Sequence, residues 1–223
     1  MIVRTRHSLR HGLLLSSLLL AAPAFAGPPL LCDPFDTAGA PSLAWGGKGW
    51  NQARTHYDLA TLVAQTEALL GADVPVIARM ETLRRAAIYA SREGRVANAL
   101  AHRLEARADG ATERDARALA AFDSGYYREA LQEIVRLQGY DMPGIGKVDA
   151  PALRALLAQG DGNRRIDEAL ALRPRDPALR FAAALVASAD ERRDEIAGHV
   201  RIARAGVAHD RLLAANIGQV SAD

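Results

Sequence analysis

The amino-acid sequence predicts an all-α protein, on three observations. Apolar residues recur at spacings of three and four along most of the chain, the signature of helices that bury one face. No alternating apolar and polar run is long enough for a sheet. The composition is alanine-rich with only 5% aromatic residues, which suits helices packed at close range.

The first 26 residues read as an address rather than as part of the fold. Arg4, Arg6 and Arg10 form a basic start, Leu13 to Leu20 an apolar core interrupted by Ser16 and Ser17, and Ala24-Phe25-Ala26 a small-x-small cleavage site. This three-part pattern predicts a secretory signal peptide cut after Ala26. The apolar stretch falls short of the roughly 20 residues that span a bilayer, so no stable membrane span is expected once the signal is cut. A lipid anchor on Cys32 is disfavoured because Pro29-Leu30-Leu31 lacks the small residue such processing wants. The expected location is exported, in the periplasm or outside the cell.

Losing the signal changes the charge. The whole chain is formally +2, and residues 1–26 carry three arginines with no Lys, Asp or Glu, so the remainder stands at 2 − 3 = −1. Phosphate binding needs a clustered positive surface, so no nucleic-acid partner is expected. A single cysteine excludes an intramolecular disulfide framework, leaving packing as the source of stability.

Residues 27–56 differ from everything after them. Pro28, Pro29, Pro34, Gly39, Pro41, Gly46, Gly47 and Gly49 break any helical period, yet both tryptophans, Trp45 and Trp50, lie here beside Leu30, Leu31, Phe35 and Leu43. A disordered linker would not carry so many large apolar groups. The expectation is an irregular arm strapped over the helical body; the sharper alternative makes Trp45 and Trp50 a partner-binding patch.

The helical body is expected over residues 57–223. Asp58 is placed as an N-cap before Leu59, Leu62, Val63, Thr66, Leu69 and Leu70, with Gly71 closing the helix. A second helix runs from Val76 to Arg92 and ends at Gly94. Further helices are expected up to Phe122 and from Tyr127 to Leu137, meeting at Ser124-Gly125, where glycine offers the left-handed conformation that ends a helix. Gly139 to Pro151 reads as a loop. Helices resume over 151–158, 164–172, 178–187, 190–205 and 210–219.

Within this body, Gly125-Tyr126-Tyr127-Arg128-Glu129-Ala130 has the form Gly-x-Tyr-x-x-Ala, and Gly94 to Ala99 repeats it 31 residues earlier with Val96 in the tyrosine position. Ala87 and Ala118 stand seven residues before the two glycines, and Arg173-Pro174-Arg175-Asp176-Pro177 supplies a proline-bearing turn. These motifs resemble the tetratricopeptide (TPR) family over residues 79–137 and 164–187, although the spacing falls short of that repeat's roughly 34 residues. The resemblance implies antiparallel helical hairpins stacked as a short, irregular α-solenoid whose concave face binds a peptide or protein. Arg84, Tyr126 and Arg128 are the residues it would bring near that face.

No catalytic constellation emerges. His56, His102, His199 and His209 lack the spacing of a helical zinc site, and Gly144-Ile145-Gly146 follows no strand, so neither metal nor cofactor is expected. Cell-wall lyases that resemble helical solenoids carry a separate catalytic domain with a Glu-Ser motif, and this chain has no Glu-Ser pair. The function expected is an envelope interaction scaffold. The alternatives are an envelope hydrolase or lyase with an unfamiliar histidine and acid site, and a self-assembling subunit whose arm inserts into the next copy.

Overall fold

A computed structural model describes residues 28–138 and 144–220. The expected signal at 1–26 lies outside the described residues, as does the first part of the expected loop, 139–143. Among the described residues the chain is all-helical, with nine α-helices and no strand. None of the helices is long and apolar enough to cross a membrane.

After a 3₁₀ turn at Leu59–Thr61, capped by the Asp58 carboxylate on the Ala60 N–H at 3.0 Å, come α1 (Leu62–Ala68) and α2 (Val76–Ala90). Every residue of α2 except Arg85 is buried, so this helix is the axis of the body rather than an amphipathic surface helix. It includes Arg79, Glu81 and Arg84, whose charges must therefore be paired inside.

A tight turn at Ser91–Glu93 leads to α3 (Gly94–Gly110), and α4 (Arg114–Arg136) folds back along it. Gly94 begins a helix rather than ending one. Its missing Cβ makes room for α5: a methyl there would lie 2.1 Å from the Ala152 side chain. Gly125, read from the sequence as a break, lies within an unbroken α4. Its lack of a side chain serves close approach instead, since a Cβ would press on the Gly162 carbonyl at 2.8 Å and on Ile166 at 3.0 Å. Tyr127 wedges between α4 and α3, its hydroxyl donating to the Ala97 carbonyl at 3.3 Å.

The remaining helices are α5 (Ala150–Leu157), α6 (Asn163–Leu172), α7 (Pro177–Ala189), α8 (Arg193–Gly206) and α9 (Arg211–Asn216), followed by a 3₁₀ turn at Ile217–Gln219. Asp149, Asp176 and Asp210 cap α5, α7 and α9 by accepting backbone N–H groups of their first turns. Helix α6 packs along α4, α7 and α8 form a hairpin, and α7 also touches α2 and α4, so the array folds back on its own axis. The apolar core runs through all of these contacts and takes in Leu30, Leu31, Phe35 and Leu43 from the arm.

Candidate functional site: an arm-filled groove and an open acidic cleft

The arm crosses α4, α2, α7 and the end of α9 without any regular structure of its own. A chain in that state must still satisfy its backbone donors and acceptors, and it does so on side chains of the body. At the near end Glu133 of α4 accepts the Leu30 N–H at 3.0 Å. Further along, Glu81 of α2 accepts the Phe35 N–H at 3.1 Å, and Asn216 both accepts the Asp36 N–H at 2.8 Å and donates to its carbonyl at 2.9 Å. Arg84 donates to the carbonyls of Leu31 and Trp50 at 3.2 Å each, Arg85 to Leu43 at 2.5 Å, and the Tyr89 hydroxyl to Ala44 at 2.6 Å. Apolar anchors fill the spaces between these bonds, and the Phe35 ring meets Phe181 edge to face at 6.2 Å.

The groove floor is electrostatically closed. Arg84 makes two bonds to the Glu81 carboxylate at 2.8 Å, with both residues fully buried, and Arg85 adds a third at 2.6 Å. Burial pushes the Glu81 pKa up, but these guanidiniums outweigh it and hold the carboxyl below its ordinary value. Glu133 has weaker support. Burial raises it to about 8 against the Leu30 N–H bond, and its Oε1 has no partner among the described residues. Cys32, half-buried in the arm, has its thiol raised to about 11 by burial and by the charges of Glu133 and Asp33.

At one end of the body a cleft of about 400 Å³ stays open between the segment leading into α2 and the starts of α4, α7 and α9. Val74, Pro75, Val76, Leu119 and Pro177 form its apolar wall, while Asp73, Asp115, Asp176 and Asp210 face a single cation, Arg173. Arg173 pairs with Asp176 at 3.0 Å and reaches Asp115 at 3.8 Å, which leaves the rim net acidic. Asp176 and Asp210 are committed to helix caps, whereas Asp73 and Asp115 are exposed and make no cap.

Compared with known protein families, with curated proteins and with solved structures, the chain matches none.

The residues singled out from the sequence fall in three places. Trp45 and Trp50 are half-buried on the arm, Trp45 edge-on to Tyr89 at 5.5 Å with Arg84 and Arg85 over its ring at 5.1 and 5.5 Å. Arg84 is not at an outer face: it is wholly buried because the arm covers it. Tyr126 is likewise buried in the interior of α4, and its hydroxyl finds no partner among the described residues. Arg128 is buried too, donating to the Gly160 carbonyl at 3.1 Å. The structure thus places all three inside rather than at an open surface: the arm covers Arg84, and α4 runs unbroken through Tyr126 and Arg128. Glu81, Glu133 and Asn216 were missed altogether. A Glu and an Arg three apart, as in Glu81 and Arg84, were the available signal.

A histidine and an acid do meet elsewhere. His199 on α8 stands 3.8 Å from Glu195, with an Arg180 nitrogen 3.2 Å from its other ring nitrogen. Burial and the Arg180 charge lower its pKa. This pair is not among the residues that line the cleft.

Proposed function

We propose that this chain is an interaction protein of the cell envelope whose helical body binds a peptide or protein. The observation that carries the reading is how the body already holds an extended segment: side chains from α2, α4 and α9 grip the arm's backbone while pockets take its apolar anchors. Hydrogen bonds to the main chain and pockets for alternate side chains are the parts from which recognition of an extended peptide is built. The packing of α4 along both α2 and α6 supports a TPR-like stack, from which the unbroken α4 and the return of α7 onto α2 depart. The export signal read in residues 1–26 supports the envelope location.

With the groove occupied, the cleft is a concave surface open to a partner, and its acidic rim and apolar wall suit a segment carrying basic and apolar side chains. Affinity capture from envelope extract tests both parts, using the mature protein, an Asp73→Lys and Asp115→Lys double variant, and a Trp45→Ala and Trp50→Ala double variant. The expected result is one dominant partner lost with the charge reversal and kept with the tryptophan changes. Loss with the tryptophan changes alone would move recognition to the arm. Absence of any partner retained above a tag-only control would defeat the interaction reading.

A further inference from the structure

We infer that the arm is an exchangeable ligand of its groove, and that residues 28–45 of one copy occupy the groove of a second copy in an arm-swapped assembly. This goes beyond partner binding at the cleft and does not depend on it.

The first ground is the chemistry of the groove. Glu81, Arg84 and Arg85 contact the arm at its backbone N–H and carbonyl groups, so the contacts are indifferent to whether the segment arrives from the same chain or another. The apolar pockets for Leu30, Leu31 and Phe35 match the arm of any identical copy, so a swap needs no new interface chemistry.

The second ground is the energetics of opening. A strap seated only on hydrocarbon would expose that hydrocarbon on leaving. This groove is floored by carboxylates and guanidiniums, whose hydration offsets part of the cost once the arm departs.

A hinge stands in the right place. Beyond Trp45 the arm doubles back through Gly46-Gly47-Lys48-Gly49, of which the first three residues are exposed. The turn is closed by the Gly46 N–H on the Gln52 carbonyl at 2.8 Å and the Gln52 N–H on the Gly49 carbonyl at 3.2 Å. Three glycines in four residues impose little conformational preference. Straightening this turn carries residues 28–45 away from their own α2 while Trp50 and everything after it stay seated. A tethered segment competes for its own groove at an effective concentration of roughly millimolar, so the closed monomer prevails in dilute solution and exchange grows with protein concentration.

The Ser42 and Thr82 hydroxyl oxygens lie 3.3 Å apart across the arm and α2, so cysteines at these two positions face each other across the seam and report whether the arm is seated there. In a full-length Cys32→Ser background, a Ser42→Cys variant and a Thr82→Cys variant are mixed at high concentration, incubated and oxidised. A covalent heterodimer linking the two chains, formed well above either homodimer and several-fold more in a Gly46→Pro background that deletes the Gln52 bond, is the expected result. The chain carrying both substitutions should close an internal disulfide when dilute, which checks that the arm is seated as described. Complete internal closure in that chain with no heterodimer from the mixture, even with Gly46→Pro, would overturn the exchange. Failure of the double variant to close at all would overturn it as well, because the arm would then not lie on α2.

Discussion

Gly125 of α4 and Gly162 at the head of α6 meet so closely that a Cβ on Gly162 would stand 2.1 Å from the Gly125 carbonyl oxygen. The same contact is fastened by the Glu129 carboxylate, which accepts the Gly162 N–H at 2.6 Å. Two helices separated by a long stretch of chain are thereby held at near-backbone distance.

Replacing Gly162 by alanine must push α6 off α4, because the obstructing atom is backbone and cannot rotate away. A loss of about 1–3 kcal/mol, the usual cost of overpacking, is expected in denaturant unfolding. Gly198 on α8 is the control: a Cβ there meets nothing within 4 Å, so Gly198→Ala should be neutral or stabilise by up to about 1 kcal/mol through helix propensity. Equal effects at the two positions would show that Gly125 and Gly162 do not touch as described.

This contact also marks where the sequence stopped being legible. Apolar periodicity placed the helices, because burial of one face is a local pattern. Glycine is ambiguous locally, since it serves both a left-handed helix end and a close approach of backbones. At Gly125 only Gly162 decides between them, and no short-range pattern names that partner. Arg84 misled for a related reason: a charge on a helix ordinarily faces water, and the arm that covers it lies tens of residues upstream. The cleft was out of reach in the same way, since Asp73, Asp115 and Arg173 come together only when α2, α4 and α7 converge.

Arg84 carries a second prediction. Truncation to alanine removes both bonds to Glu81 and leaves the carbonyls of Leu31 and Trp50 without their donor. Breaking a buried ion pair on one side costs about 3–5 kcal/mol when the partner is left alone; Arg85 still bonds Glu81, so the loss should fall below that range, and protease should then cut within the arm. Lysine should not restore stability, because one ammonium cannot reproduce a planar guanidinium serving a carboxylate and two carbonyls. Removing the exposed Arg95, which pairs with Glu93 at the surface, should leave the unfolding midpoint where it was. Arg84→Lys behaving as wild type would mean that charge alone holds the arm.

Stability should decline from mildly acid to mildly alkaline pH. Burial, joined for Glu129 by the nearby Asp190 charge, raises Glu129 to about 7 and Glu133 to about 8. In the unfolded chain both ionise near 4.5, so between that value and their folded pKa the native state binds more protons, and stability falls as pH rises. The slope is up to about 1.4 kcal/mol per pH unit for each group. Glu105 acts oppositely: Arg165 and Ser124 overcome its burial and bring it to about 2, so its contribution is lost as pH falls from 4.5 towards that value. Thermal unfolding should therefore show a maximum near pH 4 to 5, and Glu133→Gln should flatten the decline up to pH 8. A melting temperature that climbs from pH 5 to 8 would contradict the burial of these carboxyls as neutral groups.

Cys32 reports on the arm directly. Its thiol is lifted to about 11 from an ordinary 9.0 by burial and by the neighbouring Glu133 and Asp33 charges. Alkylation proceeds through the thiolate, so at pH 8 a rise of that size lowers the reactive fraction, and with it the rate, about 100-fold relative to an exposed cysteine. Burying a carboxylate in place of Leu30, which is fully enclosed, should expel the start of the arm and return the rate towards that of a free thiol. Because Cys32 bonds its own N–H to Pro28 at 2.9 Å within the same turn, release of Leu30 and exposure of the thiol are one event. Rapid alkylation of the unmodified protein would mean that this turn spends much of its time off the body. An unchanged slow rate in Leu30→Asp would mean that the later anchors, Phe35 and Leu43, hold the arm without it.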